Sequence, residues 1–535
     1  MKFDYVVIGA GSAGCAVASR LSESGKYTVA VLEAGPKDTN PWIHIPVGYF
    51  KTMGNPKSDW NYITEPDVGL NKRRIRWPRG KVLGGSSSIN GLLFVRGQPQ
   101  DFNHWRQLGN VGWAWKDVLP IFQRLENWRG DSGSANTLRG FTGPLAVSPT
   151  AVRRDIVDYW IEAAVNAGYG RNPDYNGHTQ EGVGYFQLTL ENGWRCSSAK
   201  AYLKPARNRK NLAIITDTQV EKIVQHEGQV TQVVAQSNGQ QITISVDREV
   251  ILSAGAIGSP HILMLSGIGS GRELSELGIC VENHLPGVGK NLQDHLQARP
   301  TFKTNLSTIN TEVNSWIKQA MIGAEYAIKR TGPMTMAASL GTGFLKTNPD
   351  LETPDIQFHI QPFSANNIME GTHPFSAFTA SVLQLRPEST GSVKLKSPDS
   401  RIHPAINANY LATKTDQTTI IRGIQIARKI AATDPLKKHI TEEYSPGRAV
   451  AMDDEEGILD WARNTAVTIY HPTGTCKMGS DRMGVVDARL RVHGIKGLRV
   501  ADASIMPTIT SGNTNAPSIM IGEKASDMIL EGDPQ

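Results

Sequence analysis

The apolar positions of the chain change period several times, and each change marks an element. Asp4-Tyr5-Val6-Val7-Ile8 is a short unbroken apolar run, as in a strand covered on both faces. A helical stretch follows Gly14, and Thr28-Val29-Ala30-Val31-Leu32-Glu33 reads as a second buried strand. Residues 211–216 and 219–224 read as strands, and 250–255 as another buried one. Residues 155–167 and 415–432 carry the spacing of amphipathic helices. Residues 378–385 alternate loosely and 391–395 clearly, as half-buried strands do. Ser259-Pro260 reads as a helix start with proline near its first turn, and Ser266-Gly267-Ile268-Gly269 as its end. No internal repeat and no low-complexity tract interrupts this order.

The turn after the first strand is Gly9-Ala10-Gly11-Ser12-Ala13-Gly14. Gly9 suits a tight turn. Gly11 lets backbone amides approach a pyrophosphate at a helix N-terminus, and Gly14 lets that helix pack on the strand. Glu33 ends the second strand 22 residues beyond Gly11, where an acid can bind a ribose hydroxyl, with Ala34 next to it. Strand, turn, helix, strand and acid in register predict a dinucleotide-binding unit. Further on lies Arg79-Gly80-Lys81-Val82-Leu83-Gly84-Gly85-Ser86-Ser87-Ser88-Ile89-Asn90-Gly91, ahead of a helical-looking segment. On its own it reads equally as bare backbone laid against a flat ligand or as a Gly/Ser loop.

That stretch resembles the first signature of the glucose–methanol–choline (GMC) family of flavoprotein oxidoreductases. Residues 255–269 resemble its second signature, and the likeness runs from Asp4 to about Leu530. The resemblance implies an α/β, overall α+β, fold. A Rossmann-like FAD-binding domain would interleave with a substrate-binding domain built on an antiparallel sheet with helices. The FAD domain would take residues 1–154, 200–305 and 455–535, and the substrate domain 155–199 and 306–454. Flavin contacts would come from Gly9, Gly11, Ser12, Ala13, Gly14, Glu33, Ala34, Val82, Gly85, Asn90, Gly91, Leu93, Val220, Ala254, Asp502, Ala503, Asn513 and Thr514. Trp60 and Tyr470 either line the site or simply pack. His261, His284 and His295 read as structural or flavin-facing. Some members attach FAD to a histidine in the first signature. Ile89 stands at that position here, so FAD is expected without a covalent link.

The candidate chemistry lies in Tyr470-His471-Pro472 and in Ser511-Gly512-Asn513-Thr514-Asn515. The family's catalytic histidine falls at His471, and its second polar residue at Asn515, 44 positions on. Hydride leaves an alcohol carbon for flavin N5 while the hydroxyl proton must also leave. A neutral imidazole is suited to take it. Asn515 cannot be a base but can hold the alcohol oxygen in line. The substrate pocket would include Tyr470, His471, Asn515 and Phe363, bordered by a 362–374 loop with Asn366, Asn367, Met369, Glu370 and His373. The resemblance implies FAD-dependent oxidation of a primary alcohol, whether sugar, polyol, glycol, aliphatic or aryl. The bacterial choline, sorbose, polyethylene-glycol and alcohol dehydrogenase branch is the pattern most resembled. An oxidase reducing O₂, a non-redox lyase on the same fold and a non-catalytic flavin-binding protein are the alternatives.

Composition adds bounds. The chain has 535 residues, enough for two domains, and 39% apolar and 20% charged residues describe a folded protein. A formal charge of +6 does not argue for nucleic acid, and the 72–76 basic cluster reads as a solvated loop. Cys15, Cys196, Cys280 and Cys476 lack metal or disulfide spacing and read as buried reduced thiols, with no metal expected. The first strand begins too early to leave room for a signal peptide, and no run reaches a membrane span, so a cytoplasmic protein is expected. Weak attraction to an anionic inner-membrane surface stays open. The electron acceptor would be a quinone, a cytochrome or O₂.

Overall fold

The computed structural model describes every residue except 132–136, 314, 367–370 and 533–535. Two sheets carry the architecture. The first is ordered Leu212–Ile215, Val29–Leu32, Lys2–Ile8, Gln240–Leu252, Gln229–Ser237 and Thr218–His226, with Leu498–Val500 also paired to Gln240–Leu252. The unbroken apolar runs make its parallel part, where Tyr5 to Ile8 lies between Val29 to Leu32 and Glu249 to Leu252. Both faces are covered there, so these strands need no polar alternation. Helix Ser12–Leu21 links the first two strands and packs against the C-terminal helix Asn515–Leu530. Arg20 donates to both oxygens of the buried Glu523 at 2.9 and 3.1 Å, which ties the two helices together.

The second sheet is antiparallel, in the order Ile440–Ser445, Thr301–Thr304, Ala377–Gln384, Ile356–Gln361, Gly341–Leu345 and Gly182–Tyr185. Leu296–Ala298 joins it by pairing with both Ala377–Gln384 and Val467–Thr468. Residues 296–304 and 467–468, expected in the nucleotide-binding part, therefore hydrogen-bond in the second sheet.

Several elements differ from their sequence expectation for local reasons. Ala377–Gln384 is buried at every position rather than on alternate ones. Helix Lys414–Ala431 covers one face, and Gly423 brings it so close that a Cβ would sit 2.8 Å from Val382 Cγ2. The second-signature helix begins at Gly255, not at Ser259, and encloses Pro260. The proline leaves the carbonyl of Ala256 without its helical donor, and the Thr475 hydroxyl supplies one at 2.6 Å. The first signature makes only a 3-10 turn, Gly85–Ser88. Cys280 is exposed, whereas Cys15, Cys196 and Cys476 are buried; all four are free thiols.

Candidate active site

A cavity of about 520 Å³ starts where the parallel strands end, at Ile8, Leu32 and Ser253, and extends beneath the second sheet to Gln297, His359 and Gln361. Ligands of open α/β sheets bind at such carboxyl ends. Gly9 has φ +97°, and a Cβ there would strike the Ser253 carbonyl at 2.6 Å. A Cβ on Gly14 would meet Gly9 O at 1.9 Å, so the helix lies directly on the turn. At Gly11 and Gly255 a Cβ would face almost nothing, so bare backbone borders the cavity.

Glu33 is buried. Its Oε2 accepts from Ala10 N–H at 3.0 Å and its Oε1 from Gly35 N–H at 2.9 Å. Burial pushes its pKa up to about 7, against the pull of those two amides. Asp502 follows strand Leu498–Val500 and accepts from Gly255 N–H at 2.8 Å, Ser259 Oγ at 2.5 Å and Ser504 N–H at 2.8 Å. It thereby pins the start of helix Gly255–Leu265 to the strand end.

The other end of the cavity is built around His471. Its backbone N–H donates to Asp294 Oδ1 at 2.7 Å. Asp294 also accepts from Thr468 and Tyr410, which holds the histidine's loop from below. Tyr470 sits at φ +71°, and its carbonyl accepts from Arg79 at 2.5 Å. His471 Nδ1 lies 3.0 Å from His295 Nδ1, and His471 Nε2 lies 2.9 Å from Asn513 Nδ2. His295 Nε2 is 2.8 Å from the Leu385 carbonyl. These contacts fix the tautomers in a chain. The carbonyl can only accept, so His295 carries its proton on Nε2 and accepts at Nδ1. His471 then carries its proton on Nδ1, and its Nε2 lone pair faces the Asn513 amide and the cavity. Burial lowers the pKa of His471 well below the usual imidazole range, helped by His295, His359 and Arg79. Burial likewise holds His295 at about 4 and His359 at about 3. The cluster is neutral at physiological pH.

Most of the expected residues line this one cavity: Gly9, Gly11, Ser12, Ala13, Glu33, Ala34, Trp60, Gly85, Asn90, Gly91, Leu93, Val220, Ala254, Tyr470, His471, Asp502, Ala503, Asn513, Thr514 and Asn515. Four placements differ. Asn515 points its Oδ1 at the Ser12 hydroxyl, 2.7 Å away, at the start of the first helix, and Asn513 holds the place beside His471 expected of it. Phe363 is fully buried against Phe50, with ring centroids 5.7 Å apart, and does not line the cavity. Val82 packs with Ile43 and Ile89, and Gly14 serves the turn. Of the bordering loop, Asn366 lines the cavity; Asn367, Met369 and Glu370 lie outside the described residues. His284 is exposed and accepts from Gly271 N–H, a structural role. His295, read as structural or flavin-facing, instead touches His471. His359 also faces this cavity beside His471, and nothing local in the sequence marks it. Of the 72–76 basic cluster, Arg73, Arg74 and Arg76 face the cavity.

A parallel-sheet nucleotide fold whose cavity leads to a neutral histidine under an antiparallel roof defines a class of two-part redox enzymes. Comparison with known proteins identifies which. Two models described as GMC oxidoreductase match residues 3–297 and 387–522, and the chain belongs to that family. It is 41% identical over 532 residues to an alcohol dehydrogenase (acceptor) of Pseudomonas putida, covering 99% of this chain and 96% of the relative. It is also 41% identical over 539 residues to an oxygen-dependent choline dehydrogenase of Rhizobium etli (strain CIAT 652), covering 100% and 96%. Among solved structures, pyridoxine 4-oxidase from Mesorbium loti superposes with a TM-score of 0.89 at 29% identity, covering 99% of this chain and 100% of that one. Formate oxidase of Aspergillus oryzae RIB40 gives 0.91 at 27%, covering 99% and 98%. The chain is thus a flavoprotein oxidoreductase with FAD as cofactor. The cavity fits that group. Bare backbone at Gly11 and Gly255 meets a flat, phosphate-bearing ligand, and His261 Nε2, which lines the cavity, is buried without a hydrogen-bond partner.

Proposed function

We propose that this protein oxidises a primary alcohol to the aldehyde, with His471 as general base, Asn513 orienting the hydroxyl and FAD held without a covalent link. The observation that carries this reading is the His471 Nε2 lone pair, aimed into the cavity with the Asn513 amide 2.9 Å away. When bound, FAD supplies the acceptor for the hydride of the alcohol carbon. His471 Nε2 takes the hydroxyl proton, since alkoxide character makes the carbon a better hydride donor. Asn513 donates to the same oxygen, and Gln357 Nε2, 3.5 Å from Asn513 Oδ1, sets the amide's orientation. His295 Nδ1 accepts a hydrogen bond from His471 Nδ1–H and so keeps Nε2 as the accepting nitrogen. Ile89, packed with Ile43 and Val82, has no atom that could bond the flavin ring.

The acceptor that re-oxidises the protein is a quinone, a cytochrome or O₂. A peripheral membrane site for this exchange is supported by helix Trp316–Lys329, whose outward face is apolar. Trp316 is 78% exposed, Met321 67% and Ile328 81%, with Lys318 and Lys329 exposed on the same helix. That combination suits an anionic bilayer surface.

The deciding experiment is anaerobic mixing of the yellow protein with alcohols, followed by re-oxidation with O₂ or with a quinone analogue. Bleaching by primary alcohols is expected, as is free FAD in the supernatant after acid precipitation. Flavin that no alcohol bleaches would return the reading to a lyase or a non-catalytic flavoprotein. Rapid re-oxidation by O₂ alone would make the protein an oxidase.

A further inference from the structure

We infer that the end of the cavity beneath the second sheet selects an alcohol that also carries a carboxylate, and that Arg299 holds that group. This rests on the alcohol-oxidation reading above.

Arg299 directly follows strand Leu296–Ala298 and lines the cavity. Among the described residues its single hydrogen bond is a long one, from Nη2 to Gln361 Oε1 at 3.4 Å, and its buried Nε has no partner. Among the described residues no carboxylate lies within ion-pair distance of it. The buried arginines of this protein are compensated. Arg96 and Arg139 share Glu126, Arg499 binds Glu249, and Arg428 binds Glu443. Arg195 has no acid, but it is enclosed and donates to Ile43 O, Ser87 O and Asn90 Oδ1. Arg299, half-buried at the cavity wall, instead faces open space with most of its fork unused. A guanidinium remains charged, and burying it unpaired is costly. An occupant offering two oxygens would offset that cost in bidentate geometry.

The surroundings favour an anion with further polar atoms. Gln297 Oε1 and Ser339 Oγ are also buried without partners, and both line the cavity. Tyr470 and His373 are the titratable groups that sense Arg299. The cavity's charged lining is Arg73, Arg74, Arg76, Arg79 and Arg299 against Glu33 and Asp502. Both acids are committed to backbone amides on the nucleotide side. No described carboxylate is therefore left for a quaternary ammonium, although several relatives are named choline dehydrogenases. The positive lining would also draw an anionic substrate in.

The test compares 4-hydroxybutanoate, 1-butanol and choline as anaerobic reductants of the FAD-loaded protein, with butanoate as an unreactive ligand read by the flavin spectrum. The hydroxy acid is expected to show a KM at least about tenfold below that of butanol, with choline poorest. Arg299→Gln should raise the hydroxy-acid KM roughly 10- to 100-fold, and the butanoate Kd in parallel, with a smaller effect on kcat. Arg299→Lys should restore part of the loss. Preference for butanol or choline would overturn the inference, as would equal KM changes for charged and neutral alcohols in Arg299→Gln. If that variant fails to keep FAD, the wild-type preference and butanoate binding decide alone. Bleaching by neutral alcohols but not by hydroxy acids sinks only the Arg299 assignment. Bleaching by none sinks alcohol oxidation with it.

Discussion

At the scale of single residues, the two asparagines near the C-terminus must do different work. His471→Ala should slow flavin reduction by about 10²–10⁴-fold, the usual worth of a positioned base. Asn513→Ala removes one hydrogen bond to the reacting oxygen and should cost roughly 10- to 100-fold. The double variant should fall short of the product, since both residues serve one oxygen. Asn515→Ala should instead loosen FAD, because its partner is Ser12 at the first helix. Stopped-flow reduction and flavin content of the four variants separate these roles, and an Asn515→Ala defect in reduction without flavin loss would reverse them. The pH profile has a definite sign. His471 must be neutral to accept a proton, and burial places its pKa well below 6.5. Reduction should be level from neutral pH upward and decline only in acid; a rate still climbing above neutrality would mean another base. The resemblance to the family points to His471, since a histidine before a proline does not single it out when His373 and His403 also precede prolines. It does not show which of two asparagines two positions apart faces it. That depends on Gly512 at φ +138° and on Ser511 held by Asp101, contacts more than four hundred positions away in the chain.

At the scale of elements, what is legible is what neighbours in sequence decide. Gly9 and Gly14 constrain each other across five positions, so the first strand, turn and helix can be read directly. Gly522 reads only as a helix-weakening glycine, because its reason is a distant helix. A Cβ there would lie 2.5 Å from the Ala13 carbonyl. Gly522→Ala should therefore push helix Asn515–Leu530 off helix Ser12–Leu21 and disturb the Ser12–Asn515 pair between their first turns. Helix propensity alone would favour alanine by about 1 kcal/mol. Overpacking costs about 1–3 kcal/mol, so a net loss of stability is expected, together with weaker FAD retention. Thermal unfolding with and without added FAD checks both, and a higher Tm with full flavin would show that the helices simply adapt. The same logic explains Pro260. Its place inside a helix is invisible until Thr475, far along the chain, is seen on the Ala256 carbonyl. Phe363 and Val82 failed as cavity residues because apolar type cannot tell a cavity wall from a core.

At the scale of the whole molecule, the cavity joins two sheets, and its charge and its surroundings set what reaches it and from where. The parallel sheet was legible from apolar runs. The membership of strands 296–304 and 467–468 in the second sheet was not, since short segments carry too few positions to show a period. Helix Trp316–Lys329 makes the molecule-scale case for a membrane. Clustered exposed apolar side chains mark an interaction surface, and here Trp316, Ile317, Met321 and Ile328 are left outward on one short helix. Lys318 and Lys329 add attraction to anionic lipid, about 1 kcal/mol each near the surface. The protein should co-sediment with vesicles containing phosphatidylglycerol more than with neutral ones, and salt should weaken but not abolish the binding, because the apolar part is not screened. Trp316→Glu combined with Ile328→Glu should release it while leaving flavin spectra intact. Binding unaffected by that double change would place any membrane contact elsewhere. Self-association lost in the double variant, with no vesicle binding in the wild type, would assign the face to a second copy of the chain.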